Sequence, residues 1–295
     1  MNGINEFLIK TAFAAAAKSK AKTVMIYVDL LDNLIYKGRF NKKLKIFLLT
    51  RKKSLELEDT NPDSLKNHCQ GIITLPKVAM SRKGMIQLAT TTAISLDYIQ
   101  SNEKVVYAVG STESECLDHL QIFDPGSDSE FVSGKGMKPI AEDILPEVFQ
   151  ATLHLSLELA QKGREGKPVG TIFVVGDSDK VLTLTKQMII NPFKGYDETE
   201  RNILSPSLKE TIREFSTIDG AFIINGDGII LTAGCYLGAS SQDTNLPQGL
   251  GARHMAAAGI TSLTNAVAFV ISESSGDVRV FKNGKIITQI EKTLK

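Results

Sequence analysis

Two glycines, Gly249 and Gly251, lead straight into Ala252-Arg253-His254-Met255-Ala256-Ala257, an alanine-rich segment that reads as the start of a helix. This order constrains the local fold strongly. Glycine lets the backbone pass close to a neighbour, and the first turn of a helix presents N–H groups that have no partner within the helix. Arg253 and His254 sit in that first turn, where the helix already carries partial positive charge, so cations there are unfavourable unless an anion lies in front of them. The stretch therefore predicts a phosphate at the helix N-terminus. The plain alternative is a glycine-rich loop before a core helix, with Arg253 solvated and His254 capped.

A second stretch, Asp219-Gly220-Ala221, stands immediately before the apolar run Phe222-Ile223-Ile224 and reads as a turn entering a strand. An acidic strand end followed by a glycine-led Arg-His helix start resembles the paired motifs of the diadenylate cyclase domain. The resemblance runs from about residue 170 to 285 and takes in Asn191-Pro192-Phe193, Ala233-Gly234-Cys235-Tyr236-Leu237, Leu246-Pro247 and Val270-Ile271-Ser272-Glu273 in order. One departure stands out. The family's common pattern is Gly-Thr-Arg-His-Arg, and here Ala252 and Met255 replace the threonine and the second arginine.

The resemblance implies that two ATP molecules are condensed into cyclic di-AMP and two pyrophosphates, with Mg²⁺ or Mn²⁺, where two cyclase domains meet face to face. It implies Asp219, Arg253 and His254 as catalytic groups. Gly220, Ala221, Tyr236, Leu237, Gly251, Ala252, Arg253, His254 and Ser272 would contact ATP, and Asp219 and Glu273 would hold the metal. Residue chemistry is compatible with these roles: a carboxylate binds a hard cation, and an arginine fork fits phosphate oxygens. Each position also has an ordinary reading. Asp-Gly is a common self-capping turn, a histidine in a helix is often a satisfied core residue, Tyr236 and Leu237 are plausible core hydrophobes, and Ser272-Glu273 is a strand end before the turn Ser274-Ser275-Gly276.

Charge and composition narrow the remaining classes. A formal charge of +1 and a pI near 7.7 lack the electrostatic footprint of a nucleic-acid binder, so no such partner is expected. With 42% hydrophobic and 23% charged residues, the 295-residue chain has enough material for two packed domains. Cys69, Cys116 and Cys235 are scattered and lack zinc-like spacing with His68, His119, His154 or His254, which suits a reducing cytoplasm. Phe7 to Ala17 contains Lys10 and lacks a basic leader, so it reads as an amphipathic helix and not a signal sequence. No membrane span is expected.

The fold class expected is α/β: an N-terminal parallel α/β sandwich followed by a cyclase domain with a central mixed β-sheet flanked by helices. In residues 1–128, helix is expected at Ile4–Lys18 and Gly84–Ile99, and strands at Thr23–Val28, Leu44–Leu49, Gly71–Leu75 and Lys104–Gly110. Their order resembles the C-terminal domain of pyruvate kinase. Residues 129–139 fall in the richest breaker region and read as a linker; Gly134-Lys135 there fails the P-loop pattern, because Ser129 and Gly136 stand at positions that require glycine and serine or threonine. In residues 140–295, a helix over Ile140–Lys162 kinked at Pro146, a strand at Gly170–Gly176, a helix at Ser207–Phe215, hairpins at Asn225-Gly226-Asp227-Gly228 and Asn283-Gly284, and a helix from Arg253 to about Thr264 are expected. Asp177, Asp179 and Asn191-Pro192-Phe193 read as loop structure, and His68 as surface.

Three functions compete. The first is a diadenylate cyclase acting as a homo-oligomer on ATP. The second, motivated by Ala252 and Met255, is a catalytically weakened adenine-nucleotide receptor. The third is a small-molecule sensor acting through the N-terminal domain.

Overall fold

The computed structural model describes residues 3–41, 43–52, 61–111, 113–125, 143–239 and 249–292. The chain divides into two compact units, Met1–Gly136 and Met137–Leu294. The expected linker at 129–139 lies outside the described residues, as do Gly134-Lys135 and Leu246-Pro247.

In the first unit, α1 (Gly3–Ser19) is followed by β1 (Thr23–Tyr27), β2 (Lys45–Thr50), a short α2 (Leu65–His68), β3 (Gly71–Thr74), α3 (Arg82–Ser95), β4 (Val105–Val109) and β5 (His119–Phe123). The sheet order is β3-β2-β1-β4-β5. Strands β1 to β4 are parallel, and β1 and β4 are buried along their whole length, which is why they read as continuous apolar runs. An antiparallel edge strand, β5, adds to the parallel set. Helix α3 starts earlier than its apolar pattern implied, because the Ser81 hydroxyl caps it by accepting from the Gly84 N–H.

The second unit runs α4 (Pro146–Lys162), β6 (Ile172–Val175), α5 (Ser178–Thr183), β7 (Thr185–Gln187), α6 (Lys209–Phe215), β8 (Ala221–Ile224), β9 (Ile230–Leu237), α7 (Ala252–Leu263), β10 (Val267–Ile271), β11 (Val278–Lys282) and β12 (Lys285–Ile290). Its sheet order is β12-β11-β10-β6-β8-β9-β7, with β6 and β8 parallel at the centre and antiparallel pairs outward. Alternate residues of the central strands serve two layers. Val174, Ile223, Ala268 and Val270 join Ala257, Ala258 and Ile260 of α7 in one core. The intervening Phe173, Phe222 and Phe269 form an aromatic layer with Phe149 of α4, the Phe149 and Phe269 rings lying 5.1 Å apart.

Two local expectations are corrected. Pro146 does not kink a helix: it occupies the first turn of α4, where its missing N–H costs nothing, and Gly163 at φ 59° ends the helix. Asp177 and Asp179 are not plain loop. Asp177 is the N-cap of α5 and its Oδ2 accepts the Asn265 N–H at 2.7 Å, tying this turn to the start of β10. Both expected hairpins form, with Asn283 and Gly284 at φ 50° and 72°, the conformation an Asn-Gly turn supplies.

Candidate active site

The site is assembled from three chain segments, two of which adjoin the same end of the central strands of the second sheet. The first is Asp219-Gly220, entering β8. Gly220 has φ 117°, and a Cβ there would stand 2.6 Å from the Gly234 carbonyl carbon, so β9 can pass only because this residue is glycine. That close passage leaves Asp219 outside the sheet, with its side chain 89% exposed. The second segment is the start of α7, where Gly251 is the N-cap and no side chain caps the helix. The third is Ser272-Glu273, immediately after β10.

Arg253 links all three. Its Nη2 donates to Asp219 Oδ1 at 3.2 Å and its Nη1 to Glu273 Oε2 at 3.0 Å. Ion pairs this exposed contribute little to stability, so their consequence is orientation. Gly170, just before β6, makes room for the cluster: a Cβ there would lie 2.6 Å from Arg253 Nη1 and 2.9 Å from the Glu273 Cβ.

His254 points elsewhere. Although next to Arg253 in sequence, it is buried, and its Nε2 lies 3.1 Å from Nη1 of Arg279 on β11. Burial first, and the Arg279 charge second, push its pKa down to about 4, so the ring is neutral near pH 7. Ser272 is folded onto its own turn, accepting from the Ser275 N–H and lying 3.2 Å from the Ser274 hydroxyl. Ala221 and Leu237 are core residues, so a ligand would meet backbone at those positions, whereas Tyr236 on β9 is exposed. Gly251 and Ala252 are exposed at the head of α7.

The structure thus gathers Asp219, Arg253 and Glu273 beside the open N-terminus of α7, with His254 beneath. Asn191 is a turn residue: its amide donates to the Leu231 carbonyl and its Oδ1 accepts the Phe193 N–H, which seats Phe193 against Phe222. Among the described residues, no group of three or more His, Cys, Asp or Glu side chains forms a ready metal cage. Sequence reasoning missed Arg279 and Gly170. A lone arginine in the apolar run Val278-Arg279-Val280 was the available signal for the first, and a glycine at a strand entrance for the second.

All three segments fall within residues 158–286, which match the family model described as "DisA bacterial checkpoint controller nucleotide-binding". Over 303 aligned residues the chain is 31% identical to a diadenylate cyclase of Methanocaldococcus jannaschii, covering 98% of this chain and 97% of that protein. It is 42% identical over 146 residues to a diadenylate cyclase of Haloferax volcanii, covering 50% of this chain and 53% of that one. The chain belongs to the diadenylate cyclase family, whose members are nucleotidyltransferases. A crystal structure of DacA from Staphylococcus aureus aligns with 50% of this chain and 87% of its own at 26% identity and a TM-score of 0.32. No helix among the described residues is long and apolar enough to cross a membrane.

Proposed function

We propose that this chain condenses two ATP molecules into cyclic di-AMP. In each half-reaction the 3′-oxygen of one ATP forms a bond to the α-phosphorus of the other. The bond from that phosphorus to the bridging oxygen breaks, pyrophosphate leaves, and the hydroxyl proton passes to a base. The observation that carries this reading is the Arg253 fork, held between Asp219 and Glu273 in front of an uncapped helix start. Arg253 would turn from the carboxylates toward phosphate oxygens, which it can grip through two N–H groups. Asp219, exposed at the entrance to β8, would take that proton. The free N–H groups of α7 would take a further phosphate oxygen.

The donor set fits a hard divalent cation shared with substrate. Asp219 and Glu273 offer two exposed carboxylates on either side of one guanidinium, and Mg²⁺ or Mn²⁺ usually takes one or two carboxylates plus phosphate oxygens and water. Such an ion would neutralise phosphate charge during the displacement. Tyr236, on the strand beside Asp219-Gly220, is the candidate adenine contact.

Two equivalent attacks need two nucleotides head to tail, and one chain holds one set of these residues. We therefore assign the active state to two cyclase domains facing each other about a two-fold axis. Residues 1–128 would serve regulation or assembly, and residues 140–295 the chemistry. A second reading rests on Ala252 and Met255, which lack the side chains of the family's common pattern: an adenine-nucleotide receptor with weakened turnover. Incubation of the chain with ATP and Mg²⁺ or Mn²⁺, with mass-spectrometric identification of the product, separates the two. Cyclic di-AMP supports the cyclase; saturable ATP binding with no product supports the receptor.

A further inference from the structure

We propose that Arg279 is a positioning residue for the nucleotide site, holding His254 as a neutral imidazole with its single proton on Nδ1, a standing donor for a substrate phosphate oxygen. The inference rests on the reading of the site given above.

Its basis is donor and acceptor identity. A guanidinium has five N–H donors, no acceptor, and keeps its charge in proteins. Where Arg279 Nη1 meets His254 Nε2 at 3.1 Å, the ring nitrogen must therefore accept. A neutral imidazole that accepts at Nε2 carries its proton at Nδ1. Arg279 is fixed in turn on its other sides. Its Nη2 pairs with Asp277 Oδ2 at 3.1 Å, both side chains being only 13% exposed, and its Nε donates to Gln289 Oε1 at 3.1 Å. Asp277 is anchored through Oδ1, which accepts the Lys292 N–H. The turn before β11, β11 itself, β12 and the chain after β12 thus converge on the orientation of one ring.

The other end of that ring is the informative one. His254 is 5% exposed, and its Nδ1 is buried with no partner among the described residues. Buried donors are nearly always paired, so one left over next to a candidate ligand site is free to meet an incoming acceptor. His254 belongs to the first turn of α7, a helix start whose N–H groups also lack a side-chain cap. Donors gathered in this way suit an oxyanion, here a phosphate of ATP. Nδ1 is shielded from solvent, so contact requires the side chains around it to move aside, as binding commonly brings, while the ring keeps its contact with Arg279. The charged groups acting on the ring are Arg279, Asp277 and Arg253; the two arginines oppose its protonation and Asp277 favours it. His254 then acts as a fixed dipole and not as a proton shuttle.

The test begins with the intact wild-type chain, ¹⁵N-labelled at histidine, without nucleotide. The His254 signals, assigned by their loss in His254→Ala, should report a proton on Nδ1 and keep that pattern from pH 7 to pH 5. A proton on Nε2, or a charged ring at pH 6, overturns the proposal. A non-hydrolysable ATP analogue should then shift the Nδ1–H resonance, and an unchanged resonance at saturation also overturns it. In kinetics, Arg279→Leu should lower kcat by about 10- to 100-fold, the range for losing a partner that orients a functional histidine, with a smaller change in KM. Arg279→Lys should recover part of the loss. In a His254→Ala background Arg279→Leu should cost nothing more, and additive losses would make Arg279 merely structural. Absence of cyclic product from wild type would sink the cyclase reading alone, because the tautomer and binding measurements need no turnover.

Discussion

Arg253 Nη2 stands 3.2 Å from Asp219 Oδ1 across a separation of 34 residues. Two glycines make that meeting possible, and they do so differently. At Gly170 an added Cβ meets the end of the Arg253 side chain and the Glu273 Cβ, whereas at Gly220 it meets the backbone of β9 at a positive φ. Gly170→Ala should therefore lower cyclase activity by at least about tenfold by displacing Arg253 and Glu273, with a smaller loss of stability than Gly220→Ala causes. Gly220→Ala should destabilise the second unit by about 2 kcal/mol or more, since neither the dihedral nor the backbone contact can relax cheaply. Denaturant titration of both variants beside an activity assay checks the contrast.

Arg253→Ala should weaken ATP binding and turnover together, because it removes the fork that spans the site. Met255→Ala should change either by less than about twofold: Met255 is 42% exposed, and its side chain has no partner role in the cluster. Equal damage from the two substitutions would mean that phosphate lies on a different face of α7.

His154 supplies a pH test independent of the site. Burial holds its pKa at about 4 against an ordinary 6.5, and its Nε2 is buried without a partner among the described residues. A histidine kept neutral in the fold gains a proton on unfolding. Stability is therefore full above pH 6.5 and declines as pH falls from about 6.5 to about 4, by about 3 kcal/mol at most for this group. His154→Leu should lessen that decline, leaving the share that His254, held neutral in the same way, contributes. Urea midpoints at pH 7 and pH 5 measure it, and an equal decline in variant and wild type would place the acid sensitivity elsewhere.

Much of this architecture was legible in the sequence where burial makes residues speak plainly. Strands β1, β4, β6 and β10 are buried throughout and read as apolar runs, and the Asn-Gly hairpin announced itself through turn chemistry. Strand β5 did not, because His119-Leu120-Gln121-Ile122 is largely half-exposed at a sheet edge and mixes residue types. The pair α5 and β7 are six and three residues long, too short for a period to emerge. Strand β9 runs on through Gly234, which looks like a break but adopts φ 71° against Ile189. At the site, motif order singled out Asp219, Arg253 and Glu273, but not their shared contact, which depends on three separate segments. The burial of His254 against Arg279 was equally hidden, since nothing local in Arg253-His254 distinguishes a solvent-facing cation from an inward ring.

If two domains must face each other, specific activity should rise with protein concentration until dimers saturate. Mixing wild-type with Asp219→Asn chains should then reduce activity below the value that dilution alone gives. Constant specific activity in chains that sediment as monomers throughout the assay range would refute the paired arrangement.

The most direct measurement compares wild type and Asp219→Asn in a single assay with ATP and Mg²⁺ or Mn²⁺, following cyclic di-AMP and pyrophosphate together. The account predicts two pyrophosphates for each cyclic di-AMP from the wild-type chain. For the variant it predicts a loss of at least about a hundredfold at nearly unchanged melting temperature, since an 89%-exposed side chain contributes little to folding. Near-normal turnover in Asp219→Asn, or no cyclic product from a wild-type chain that binds ATP, would contradict it.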